Sequence, residues 1–146
     1  MQETKKIKIK SSLGFTLVEL LVVVAILGIL SAIGVVSYNG YVSATKAKSA
    51  ENMMQQIGLA ETEEYSSYGS YYGNSDTCTE TTTEEIGDNL FGSSDYIDRD
   101  KMGYDFCILL GTGSTYTVHA QSIKLDESNN PACSMTLDQS GNFTKC

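Results

Sequence analysis

Phe15 to Val36 reads FTLVELLVVVAILGILSAIGVV, and this stretch decides the fold. From Leu20 to Val36 there are 17 residues without a charge, broken only by the small Gly28, Ser31 and Gly34. With Phe15 to Val18 included, the run reaches the roughly 20 residues that a helix needs to cross a bilayer. Residues 1–14, MQETKKIKIKSSLG, are short, basic and polar. Lys5, Lys6, Lys8 and Lys10 should stay cytoplasmic, which sends the body that follows the span out of the cytoplasm. An ordinary secretory signal carries the small residues of its cleavage site after the apolar run. Here Gly14 precedes it, so that reading fails on order.

Beyond the span the helical pattern continues. Ala47, Ala50, Met53, Met54, Ile57 and Ala60 recur at three- and four-residue spacing, with Lys46, Lys48, Glu51, Gln55 and Glu61 interleaved. Such a stripe is a packing face for the protein's own sheet. Ser66-Ser67-Tyr68-Gly69-Ser70 ends it. A helix from Phe15 to about Tyr65 is about 75 Å long at 1.5 Å per residue. No domain of this size buries such a rod, so its front half must lie in a membrane or among other copies of itself.

The rest of the chain changes character. Residues 69–102 are rich in Gly, Ser, Thr, Asp and Glu and predict a long connecting loop with one helical turn near Glu84 to Leu90. Strand signals follow at Tyr104–Leu110, Thr115–Lys124, Ala132–Leu137 and Asn142–Lys145. Gly111-Thr112-Gly113 and Gln139-Ser140-Gly141 supply the turns. The fold class is therefore α+β, with an N-terminal helix over 15–68 packed on a four-stranded antiparallel meander over 103–146.

Composition narrows the function. The 146 residues carry 10 basic and 18 acidic side chains, a net charge of -8. From Phe15 onward 6 basic face 17 acidic residues, a balance of -11. Such a surface repels phosphate backbones and disfavours direct nucleic-acid binding. Cys78, Cys107, Cys133 and Cys146 are dispersed, with no C-x-x-C pair and one His in the whole chain, so zinc lacks ligands at useful spacing. Four cysteines behind an export-type N-terminus fit two disulfides in an oxidising compartment, and three connectivities are open.

Glu19 is the unusual residue. An ionised carboxylate five positions into an apolar run is costly in lipid and asks for a partner, unless it reaches the headgroups from near the helix end. At Leu13-Gly14-Phe15-Thr16-Leu17-Val18-Glu19, preceded by lysines and followed by the apolar run, the sequence resembles the class III signal of type IV pilins and pseudopilins. The resemblance covers residues 5 to about 41. It implies cleavage by prepilin peptidase between Gly14 and Phe15 (so that 1–14 is a leader peptide), N-methylation of the new Phe15 amine, and a span at about 15–36. It also offers Glu19 a partner, the Phe15 ammonium of a neighbouring subunit, since two charges that are each expensive in lipid offset one another when paired. Where many of these proteins carry Pro, this chain has Val36; its one Pro is Pro131.

In pilins a disulfide commonly closes the C-terminal D-region, which Cys133 and Cys146 resemble by bracketing the last predicted hairpin. Cys78–Cys107 would then tie the long connection to the first strand. The resemblance further implies a homopolymer with other pilins, built by inner-membrane assembly machinery. The precursor and free subunit would sit in the inner membrane with the body in the periplasm, and the pilus outside the cell. Adhesion, twitching motility and DNA uptake are the roles such filaments serve. A pseudopilin of a type II secretion system and a signal-anchored periplasmic binding domain are the rival readings.

No enzyme is legible. His119 alternates with Val118 in a predicted strand and has no nucleophile or acid arranged with it; Gly111-x-Gly113 lacks the glycine and helix start of a phosphate loop. Asp95, Asp98, Asp100 and Asp105 lack the spacing and glycine of an EF-hand and are better taken as solvated acids. No cofactor or metal is expected. The nine tyrosines suit half-buried packing better than a stacking surface.

Overall fold

Helix α1 runs unbroken from Leu17 to Tyr68, 52 residues, in a computed structural model that describes residues 14–146. The predicted leader and its lysines, up to Leu13, lie outside the described residues. No proline interrupts α1. Hydroxyls that could compete with its backbone return to it instead: Ser31 donates to the Leu27 carbonyl at 2.7 Å and Thr45 to Tyr41 at 2.9 Å. The helix stops at Gly69, whose φ of +77° is open to glycine at no steric cost and whose N–H returns to the Tyr65 carbonyl at 2.8 Å.

The chain divides after Gly40 into two units. In the first, every described side chain of α1 is exposed. In the second, from Tyr41 onward, α1 presents Ala47, Ala50, Met54, Ile57 and Glu61 as its buried face. Those intervals of three and four residues place all five on one stripe. Glu61 stands there as a core residue rather than among the solvated polar positions, and it is fully buried.

Four antiparallel strands form a meander in the order β1-β2-β3-β4: β1 Tyr104–Gly111, β2 Thr115–Ser122, β3 Ser134–Asp138 and β4 Phe143–Thr144. Period-two burial assigns one face to the core. Phe106 pairs with Ala120 and Ala120 with Met135, while Ile108 pairs with Val118 and Val118 with Leu137. All six side chains are buried with the α1 stripe in one cluster. The α+β class holds. The last three strands are shorter than their sequence signals, because the chain beyond Ser122 turns away and Leu125 bridges Pro131 outside the sheet.

The 69–102 segment is not the loop that its composition predicts. It contains α2, Glu80–Phe91, a 3-10 turn at Ser94–Tyr96 and the short α3, Arg99–Met102. Thr79 caps α2 reciprocally with Thr82: the Thr82 N–H donates to the Thr79 hydroxyl at 3.3 Å, and the Thr79 N–H to the Thr82 hydroxyl at 2.8 Å. Threonine stands where the usual box has Glu or Gln, so the start signal is weak in sequence. Only Ile86 among the apolar side chains of α2 is fully buried, which leaves little helical periodicity to read.

Candidate functional site

The first turn of α1 gathers the residues that the N-terminal pattern singles out. Gly14, Phe15 and Thr16 precede the helix, and Phe15 is 85% exposed. Thr16 and Glu19 form a reciprocal cap. The Glu19 N–H donates to the Thr16 hydroxyl at 3.2 Å, while the Thr16 hydroxyl and N–H donate to Glu19 Oε2 at 3.1 and 3.3 Å. Two orphan donors of the helix start are satisfied this way, and a carboxylate sits at the positive end of the helix dipole. The sequence implies a partner for Glu19 on a neighbouring chain, and the structure adds one on its own chain, for which the capping-box spacing Thr16-x-x-Glu19 is the signal.

Apart from Glu19 and Ser31, the side chains from Leu17 to Val36 expose an apolar surface. Its large side chains are between 48% (Val23) and 76% (Leu17) open. An 18-residue window of this helix has a mean hydropathy of 2.8, with none of the window buried within the chain. Length and apolarity suffice to cross a membrane. Glu19 is the acid of this stretch, and all its hydrogen-bond partners belong to Thr16.

The body holds the other candidates. Disulfides join Cys78 to Cys107 and Cys133 to Cys146. His119 is half-buried on β2, paired in register with Cys107, and burial pushes its pKa below the ordinary range. No nucleophile or acid is hydrogen-bonded to its ring among the described residues.

The four aspartates do not form a cation cage, because the chain supplies the cation. Arg99 grips Asp105 through two parallel bonds, Nε to Oδ1 at 2.6 Å and Nη2 to Oδ2 at 3.1 Å, and its Nη1 lies 3.3 Å from Glu80. Asp98 instead caps α3 by accepting the Lys101 N–H at 3.0 Å. Asp95 and Asp100 line the same open hollow of about 280 Å³. Among the described residues no group of three or more His, Cys, Asp or Glu is poised to hold a metal.

Against known families, the prokaryotic N-terminal methylation motif matches residues 9–35. It spans Gly14, Phe15, the capped Glu19 and most of the apolar helix, and it is the class III signal of type IV pilins and pseudopilins. No curated protein and no solved structure matches the chain.

Proposed function

We propose that this chain, a type IV pilin-like or pseudopilin protein by its N-terminal signal, is a structural subunit of a bacterial type IV pilus. In this reading prepilin peptidase cuts between Gly14 and Phe15, the Phe15 amine is methylated, and assembly proceeds through α1 rather than through any catalysis. Before assembly α1 anchors the subunit in the inner membrane with the body in the periplasm. Afterwards the exposed apolar surface of Leu17 to Val36 packs against the same surface of other copies. The inner-membrane assembly machinery drives the transfer. The filament then serves adhesion, twitching motility or DNA uptake.

The observation that carries this reading is Glu19, an exposed carboxylate in an otherwise apolar segment whose partner is no stronger than its own Thr16. In a low-dielectric filament core a carboxylate is stable only when paired with a cation and hydrogen-bonded. Cleavage after Gly14 creates one such cation, the Phe15 ammonium. Pairing it with Glu19 of a neighbour satisfies both charges and fixes the axial stagger, because a shifted register would strand them. The two disulfides suit an oxidising compartment, which the periplasm and the cell exterior both are, so they fit the pilin and the pseudopilin alike.

The test is to shear producing cells, collect released filaments and measure this protein's N-terminus and intact mass. An abundant chain that begins at methylated Phe15 and lies four hydrogens below the reduced mass supports the pilus subunit. The same processed chain confined to the envelope points to the pseudopilin. A chain that keeps its first 14 residues overturns both and leaves a tethered periplasmic domain. Glu19→Ala separates the classes further: an assembling subunit loses incorporation, while a tether keeps its membrane retention.

A further inference from the structure

Glu61 is the most unusual side chain of the body. None of its surface reaches solvent. The Tyr72 N–H donates to Oε2 at 2.9 Å, and Oε1 has no partner among the described residues. The ion pairs of the described residues involve Lys48, Arg99 and Lys101, none of them with Glu61. Glu64 faces it from its own helix. Tyr116 faces it from β2, with a hydroxyl that donates at 3.1 Å to the carbonyl of Gly58, one turn earlier in α1. Farther out, Glu85 of α2 lies toward Tyr72, and Asp138 at the end of β3 lies toward Tyr116. These neighbours are acids and neutral phenols, so a charge on Glu61 meets one amide dipole and no cation. Burial accordingly pushes its pKa from 4.5 to about 7, although the Tyr72 amide pulls the other way.

The chain over Glu61 is a short strap between two fixed ends. It starts at Gly69, in the left-handed conformation. It ends at Asn74, whose N–H donates to the Ile108 carbonyl at 3.1 Å and whose Oδ1 accepts the Ile108 N–H at 3.0 Å. Between them the Tyr71 ring sits 4.5 Å from Tyr65 and 4.7 Å from Tyr116 by centroid, and the Tyr72 hydroxyl meets the Asn89 amide at 3.3 Å. Of these contacts, the bond from the Tyr72 amide is the one that reaches a buried carboxyl.

We propose that Glu61 and the Tyr72 amide form a pH-dependent latch: the neutral carboxyl keeps the strap from Gly69 to Gly73 closed over the core, and the carboxylate opens it to water. Linkage sets the sign. A closed site that favours the proton and an open site with an ordinary carboxyl make opening easier as pH rises. The opening constant climbs about tenfold per pH unit between 4.5 and about 7, then levels off. The latch does not depend on the pilus reading, because it lies wholly within the body.

The experiment follows exchange of the Tyr72 amide in the full chain in detergent micelles from pH 5 to 8.5, corrected for the intrinsic base-catalysed rate. Carbon-13 NMR of the Glu61 carboxyl is recorded alongside. The expected result is an opening constant that rises about 40-fold from pH 5 to 7, by at most a further twofold above that, and then flattens, with the carboxyl titrating near neutrality. Glu61→Gln should remove the dependence, while the Phe106 amide stays protected throughout. A carboxyl midpoint below pH 5, a Tyr72 amide unmoved across the range, or a Phe106 amide that follows Tyr72 would each overturn the latch. If Glu61→Gln does not fold, the wild-type carboxyl and the two amides still decide.

Discussion

Asn74 closes the free edge of β1 at Ile108, accepting its N–H on Oδ1 at 3.0 Å and donating its own N–H to the Ile108 carbonyl at 3.1 Å. One residue thus does what a neighbouring strand would do. Two positions away, α2 completes the edge: the Phe106 N–H donates to the Thr83 hydroxyl at 2.8 Å, and the Thr82 hydroxyl donates to the Phe106 carbonyl at 2.7 Å. An open strand edge is a template for unwanted pairing, and here side chains from the 69–102 segment occupy it. That segment is therefore part of the sheet's closure.

Replacing Asn74 by Ala or Thr83 by Val should each lower stability by about 1–3 kcal/mol, the cost of a buried amide left without its acceptor. Urea unfolding of the full chain in detergent measures it. The Asn74 side-chain amide also donates to the Thr82 carbonyl at 2.9 Å, so the two sites share a network. The double variant should lose less than the two singles added together, by about 0.5 kcal/mol or more. Strict additivity would show that the two ends of the edge act alone.

Gly87 tests how tightly α2 docks. A Cβ there would stand 3.1 Å from the Ser94 carbonyl oxygen and closer still, at 2.5 Å, to that of Ser93. Both obstacles are backbone and cannot rotate away. Alanine gains at most about 1 kcal/mol of helix propensity, against about 1–3 kcal/mol for overpacking a filled site. Gly87→Ala should therefore be destabilising, by about 1–2 kcal/mol, and it should displace the turn at Ser94–Tyr96. A more stable variant would mean that the turn moves freely.

How far the sequence carries can be judged from these elements. The long helix and the meander are legible, because an uncharged run of 17 residues and strict alternation in Tyr116, Val118 and Ala120 each point to one period. α2 is hidden for a physical reason: its cap uses Thr82 where Glu is usual, and its buried positions include Thr82, Thr83 and Gly87, which carry no hydrophobic signal. Glu61 is hidden by its charge, since a Glu between apolar stripe positions implies solvent until its neighbours are known. At the N-terminal site Gly14, Phe15 and Glu19 are legible together, while the bond between Thr16 and Glu19 is masked, because an acid inside an apolar run implies a partner on another chain although Thr16 stands at capping-box spacing from it.

The disulfides should differ in where their loss is felt. Cys78–Cys107 closes a separation of 29 residues and Cys133–Cys146 one of 13. Loop-closure entropy assigns them about 3.5 and about 3 kcal/mol, too close to separate by unfolding alone. Location separates them. Cys78 lies between Asn74 and Thr82, so replacing Cys78 and Cys107 by Ala should loosen the β1 edge and speed exchange at Phe106 and Ile108. Replacing Cys133 and Cys146 should release β4 and leave that edge protected. Equal exchange profiles for the two variants would refute the assignment.

The β3–β4 turn should respond to acid in the sense opposite to the strap over Glu61. Asp138 accepts the Asn142 side-chain amide at 2.8 Å on Oδ2, and the N–H groups of Asn142 and Ser140 at 2.8 and 2.9 Å on Oδ1. These bonds, the Asn142 side chain foremost, hold its pKa below the ordinary 3.8. A carboxyl that is more acidic in the folded chain stabilises the fold above pH 3.8, and that contribution disappears as pH falls through the folded value. Exchange at the Asp138 amide, which donates to the Asn142 carbonyl at 3.1 Å across the turn, should therefore stay slow at neutral pH and quicken only in strong acid. Asp138→Asn should weaken the turn at neutral pH and remove the acid response. The two windows do not overlap: Asp138 acts below 3.8, and Glu61 between 4.5 and about 7. Acidification from pH 7 to 5 should tighten the strap while leaving the turn unchanged, and an Asp138 amide whose protection titrates in that range would show that the Asp138 carboxylate does not hold the turn.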